Sequence, residues 1–118
     1  MPSGPEPIRF AGLPRAIMLG REVPVAATRR ARLLGLALLD RGRAGPGLLI
    51  PRCRSVHTFG MRFALDLVFL DAEGAVAQLR REVPARRIVR WRAAVAVLEL
   101  PSPRASRDLK EGLDCRYR

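Results

Sequence analysis

The stretch RCRSVHTFGMRFALDLVFLD, residues 52–71, holds the chain's single histidine, one of its two cysteines and an aspartate inside an otherwise apolar run. Extended segments flank residues 60–63, and a turn centred between Met61 and Arg62 would set position 57 opposite position 66. In that register His57 and Asp66 are direct cross-strand neighbours, with Cβ atoms roughly 5 Å apart. Side-chain alternation places Ser55 beside His57 on the same face, with Phe59 and Val68 around them. A slip of one residue would send His57 to the other face.

ALDLVFLD reads as a buried strand, DAEG (71–74) as a turn, AVAQLRREVP as the next strand and AAVAVLELP as another. Upstream, AIMLGREVPVAA reads as two short extended pieces broken at Gly20, a hairpin before the first helix. Thr28 is placed to cap a helix over 28–39, with Leu33, Leu36, Leu38 and Leu39 on its apolar side. Arg29, Arg30 and Arg32 crowd its first turn, where the macrodipole disfavours positive charge. DRGRAGPG (40–47) reads as a loop. The tail suggests a short C-terminal helix from Ser102 to Lys110, stopped at Gly112, then a last extended piece. Short strands outnumber helices, so the expected class is mainly β (α+β): a compact antiparallel β-barrel or sandwich with one helix near 28–39 and a short C-terminal helix.

Length and composition fit one domain. The chain's 118 residues suffice for a single core, with residues 1–7 expected as a disordered leader and 8–118 as the domain. Lys and Arg number 22 against 11 acids, giving a formal charge of +11 that favours anionic partners. Lys110 is the only lysine, and the heavy use of Arg, Ala, Leu, Gly and Pro resembles the coding bias of a GC-rich genome, which weakens a nucleic-acid inference from charge alone. The start lacks the basic and apolar regions of a signal peptide, and no apolar run reaches the roughly 20 residues that cross a bilayer. A cytoplasmic protein without a membrane partner is expected, with Cys53 and Cys115 as free thiols rather than a disulfide.

Four segments together resemble a known family: AATRRARLLGL (26–36), GLLIPRCRSVHTFGMRFALDLVFLD (47–71), VLELP (97–101) and LKEGL (109–113). The pattern is similar to the bacterial and archaeal family called domain of unknown function 192, over residues 16–115. The resemblance implies a compact single domain, a small β-barrel or sandwich flanked by short helices, and it implies no activity. Ala64 stands where many members carry proline, which implies a less rigid approach to Asp66.

The candidate site residues follow from the assumed hairpin. Ser55, His57 and Asp66 on one face have the types needed for nucleophilic catalysis, and Cys53 offers a second nucleophile. No G-x-S-x-G elbow surrounds Ser55, and on a straight strand Cys53 lies about 13 Å from His57. A buried Asp66 held by His57, Arg62 or Arg52 accounts for the same residues without chemistry. The preferred reading is a binding module for an anionic small molecule or peptide, in a groove around Ser55, His57, Asp66 and Arg62. A hydrolase using Ser55 or Cys53 with His57 and Asp66 is the alternative. No metal or cofactor is expected, since one histidine and two cysteines lack C-x-x-C or H-x-x-x-H spacing. In RREVPARRIVRWR, Arg80, Arg81, Arg86, Arg87, Arg90 and Arg92 face only Glu82. Arg86, Arg87, Arg90 and Arg92 are candidate anion ligands, and the Arg80–Arg92 segment with Trp91 supports a nucleic-acid accessory role as a second alternative. Glu99 could complete the polar cluster, although a strand-end carboxylate is usually exposed.

Overall fold

A computed structural model describes residues 6–103. After a 3-10 turn at Ile8–Phe10, the chain forms β1 (Arg15–Met18), β2 (Arg21–Pro24), α1 (Arg29–Leu34), α2 (Arg41–Ala44), β3 (Leu48–Pro51), β4 (Ser55–His57), β5 (Leu65–Leu70), β6 (Val76–Val83), β7 (Ile88–Arg90) and β8 (Ala96–Pro101). The class is mainly β with antiparallel sheets, as the sequence predicts. A four-stranded sheet in the order β3-β8-β5-β6 is joined by the pairs β1-β2 and β4-β7, a sandwich-like arrangement rather than a closed barrel among the described residues. No helix among these residues is long and apolar enough to cross a membrane. The predicted C-terminal helix beyond residue 103, the extended piece after it, Cys115 with its pairing, and residues 1–5 of the predicted leader lie outside the described residues.

The apolar run LDLVFL becomes β5, and all six of its residues are buried because both faces of the sheet are covered. Leu65, Leu67 and Phe69 join Leu48, Ile50, Val97 and Leu36 on one face. Val68 and Leu70 join Leu98, Leu100 and Val23 on the other. The β1-β2 hairpin turns through Leu19 and Gly20, both at positive φ, the paired conformation that matches the twist of two-residue hairpins. In the DAEG turn, Asp71 Oδ1 accepts from the backbone N–H groups of Glu73 and Ala75, each at 2.9 Å.

Two expectations are corrected near α1. Thr28 does cap it, its hydroxyl accepting from Ala31 N–H at 3.0 Å, but the helix ends at Leu34 rather than residue 39. Gly35 caps it at φ +53°, and the chain breaks away so that Leu36 and Leu39 are buried while Leu33 and Leu38 are 66% and 56% exposed. Within the predicted loop at 40–47, residues Arg41–Ala44 make one turn of helix.

Residues 52–71 depart most from the expected hairpin. Positions 57 and 66 do not pair: β4 pairs β7 with His57 opposite Ile88, and β5 pairs β8 with Asp66 opposite Leu100. Thr58 is the cause. It is fully buried, its hydroxyl donates to Pro84 O at 2.7 Å and accepts from Arg87 N–H at 2.8 Å, and its own N–H donates to Arg87 O at 2.8 Å. These bonds tie the end of β4 to the 84–87 loop and draw it away from β5.

Asp66 has a different task. Leu65 pairs Val83 and Leu67 pairs Arg80, so Asp66 alone spans Arg81 and Glu82, a β-bulge. Its Oδ1 accepts from Glu82 N–H at 2.9 Å and from Ser102 Oγ–H at 2.6 Å, while Glu82 takes φ +52°. A buried carboxylate is thereby satisfied by the backbone irregularity that it creates. Asp66→Ala, which strips both donors of their acceptor, is expected to lower unfolding stability by about 2–4 kcal/mol, against about 1 kcal/mol for Ser102→Ala. Urea midpoints measure both, and equal losses for the two variants would refute the bulge as the seat of the effect.

Candidate functional site

Strand β8 reads VLEL at its centre, and alternation divides these side chains between the two faces. Leu98 and Leu100 pack with Val23 and Val68, whereas Val97 and Glu99 turn to the side that α1 covers. Because β8 lies between β3 and β5, with Glu99 opposite Leu48 on one side and Leu67 on the other, the residue is only 3% exposed. The turn that ends α1 receives its carboxyl. Leu36 N–H donates to Oε1 at 3.3 Å, and Gly35 approaches so closely that a Cβ there would lie 2.7 Å from the same oxygen. Glycine is required at that position twice, for the contact and for its positive φ.

Burial pushes the Glu99 carboxyl up to about 7, with the Leu36 N–H and the Arg9 guanidinium pulling less strongly in the opposite direction. Arg9 is itself held off its ordinary value, downward, by burial and then by the neighbouring Arg30 and Arg43 charges. It donates to Ala37 O and sits over the Phe10 ring.

Glu99 forms the floor of a cavity of about 60 Å³ walled by Ile50, Val56 and Met61, with Cys53, Ser55, His57 and Arg32 above. The cavity shares Arg32, Leu33 and Cys53 with a wider depression of about 470 Å³ that Arg29 borders. Arg32 donates to the Pro51 and Arg52 carbonyls, which fixes its stem along this rim.

Of the sequence-predicted residues, Ser55 and His57 meet in this cleft. Asp66 does not, because alternation along β5 sends it with Val68 and Leu70 to the opposite face of the sheet. Arg62 is also elsewhere, in an exposed ion pair with Asp40 at 3.0 Å. His57 Nδ1 accepts from Phe59 N–H at 3.2 Å, so the proton resides on Nε2, which donates to Leu33 O at 3.3 Å. Both nitrogens therefore hold backbone partners. Ser55 shares no hydrogen bond with the ring among the described residues. The Cys53 thiol donates to Ser55 O at 3.3 Å, and burial raises its pKa above the ordinary thiol value. A raised thiol makes a poor nucleophile near neutral pH. Glu99, which the sequence reading leaves at an exposed strand end, is the residue that the cleft is built around.

The arginines divide in a similar way. Arg87 and Arg90, with Arg80 and Arg81, line a separate groove of about 660 Å³ between β6 and β7. Arg86 and Arg92 are exposed outside its lining.

The family described as Uncharacterized ACR, designated DUF192, matches residues 15–116. Two solved structures share the fold. A protein of unknown function from Novosphingobium aromaticivorans DSM 12444 is 16% identical, with 89% of this chain and 92% of that chain covered at a TM-score of 0.56. A Sinorhizobium meliloti 1021 protein described as a "putative transcription regulator" is 24% identical, with 75% and 78% covered at a TM-score of 0.55. At these identities the likeness is one of fold. No curated protein matches significantly.

The raised Glu99 pKa has a definite consequence for stability. An unfolded glutamate titrates near 4.5, so the protonated, buried form is fully favourable below that pH, and its contribution is lost as pH rises through about 7. Glu99→Gln keeps an acceptor for Leu36 N–H and removes the titration. Relative to wild type it is expected to gain up to about 3 kcal/mol between pH 4.5 and pH 8. Urea unfolding of both proteins across that range checks this, and a difference that stays constant with pH would contradict the burial of Glu99.

Proposed function

The chain belongs to the DUF192 family of uncharacterised proteins, and on that premise we propose that it is a binding module whose ligand is a small molecule with an anionic end and a hydrogen-bonding head. The observation that carries this reading is Glu99. A carboxyl buried to this degree ordinarily collects several donors, and Glu99 receives one, from Leu36, among the described residues. Its remaining hydrogen-bonding capacity lies at the floor of a cavity that opens outward.

The dimensions define the chemistry. An inner space of about 60 Å³ admits a hydroxyl or amino group and excludes a ring. The outer depression falls within the range of small-molecule clefts. Arg29, exposed at its border, supplies positive charge for a carboxylate or phosphate, and Arg32 adds to the field while holding its carbonyls. The His57 imidazole closes one side with its tautomer fixed. Binding is favoured over hydrolysis because that ring has no free nitrogen to take a proton from Ser55 or Cys53.

A thermal-shift series of small hydroxy- and amino-carboxylates tests the proposal. A ligand at 100 times its Kd adds about 2.7 kcal/mol, a rise of several degrees in Tm. Glu99→Gln and Arg29→Ala are each expected to weaken that ligand about tenfold, while Arg62→Ala leaves it unchanged. If no compound stabilises the wild type, or if Arg62→Ala abolishes binding as fully as Glu99→Gln, the cleft is not the site.

A further inference from the structure

We infer that the groove between β6 and β7 binds an extended acidic peptide of a partner protein, which adds to β6 as a further strand. The inference concerns a different surface from the Glu99 cleft and does not depend on it. Strand β6 is the long edge of the four-stranded sheet, and among the described residues it pairs only with β5. Strand β7 pairs only with β4 among the same residues. The two are consecutive in the chain, yet they enter different sheets. The Asp66 bulge bends β6 at Glu82, Pro84 offers no N–H, and Thr58 holds the 84–87 loop against β4, so β6 and β7 diverge and leave a trough of about 660 Å³ between them.

The edge of β6 presents alternate backbone N–H and C=O groups outward, the template that β-strand addition uses. Among the described residues the lining is predominantly basic. Arg80, Arg81, Arg87 and Arg90 contribute against Glu82 alone, and Leu79, Val83, Ile88 and Val89 supply apolar contact, with Ile88 67% exposed. Alternating acidic and apolar side chains on an incoming strand would meet both.

Other occupants fit less well. A second copy would set arginine against arginine. Residues 104–118 carry five basic side chains against three acidic ones, so this chain's own tail has the wrong sign. Nucleic acid would find phosphate ligands, but among the described residues no aromatic side chain lines the trough to stack a base.

The test uses the full chain and a fluorescein-labelled octapeptide alternating Glu and Val. Saturable binding is expected, weakened at least tenfold by the double variant Arg80→Glu, Arg90→Glu and unchanged by Glu99→Gln. N-methylation of alternate peptide amides, which preserves charge and removes strand hydrogen bonds, is expected to weaken binding at least tenfold as well. The inference is overturned if the peptide fails to bind, if the N-methylated peptide binds equally, or if a single-stranded oligonucleotide of equal charge displaces it at lower concentration. Circular dichroism of the double variant confirms that the charge reversals leave the fold intact, and Arg80→Ala alone provides a milder variant expected to lose a smaller part of the affinity.

Discussion

The ladder between β5 and β8 has apolar side chains packed on both of its faces, and every polar group inserted into it must find donors within the protein. Two carboxyls are inserted, one on each strand and one toward each face. Asp66 receives a backbone N–H and a serine hydroxyl, and in doing so it fixes the position at which β6 departs from regular pairing. Among the described residues Glu99 receives a single N–H, from Leu36 in the turn that follows α1. The burial is similar and the satisfaction is not, which separates a structural carboxylate from one left with capacity for a ligand.

From these two residues the remaining geometry follows. The bulge at Asp66 turns β6 outward, the buried Thr58 pulls β4 onto β7, and the space between β6 and β7 stays open as a charged trough. On the other face, the approach of Gly35 to Glu99 stops α1 after six residues and lets the following turn cover the carboxyl. A second glycine supports the same strand: Gly47, at φ +135°, lies where a Cβ would come within 2.6 Å of Glu99 O, so the entry to β3 can close against β8 only without a side chain. Helix α1 is short because Gly35 ends it at positive φ, where glycine is the favoured residue.

Much of this organisation is legible in the sequence, for physical reasons that also explain what is not. The turn residues Leu19-Gly20 and Asp71 to Gly74 act within a few positions, so their hairpins can be read locally. The apolar run of β5 announces burial on both faces, and Thr28 announces a cap. The pairing of β4 cannot be read this way, because it is decided by Thr58 meeting residues 84 and 87, far along the chain, whereas sequence proximity suggests β5 as the partner. Ser55 and His57 are therefore found on the correct strand with the wrong neighbours. Glu99 is misjudged for a related reason: VLELP has the same pattern at a sheet edge or in its middle, and only the order β3-β8-β5 buries the carboxyl.

That burial runs against the other levels of the design. Leucine at position 99 would suit a site flanked by Leu48 and Leu67, and would need no donor. Instead, a carboxyl with a pKa near 7 stands there, and the disadvantage of ionising it, about 3 kcal/mol above neutral pH, is a large share of what a domain of this size has in reserve. The β1-β2 turn, the α1 cap, the bulge at Asp66 and the packing of β5 all agree with one another. Disagreement between local chemistry and global fold tends to gather at functional positions. In this protein it gathers at Glu99, beside a glycine whose missing side chain makes room for it and beneath a cavity that leads out past two arginines. Glu99 is thus the residue whose presence the fold alone does not explain, and a ligand that donates a hydrogen bond to its carboxyl would supply what the core withholds.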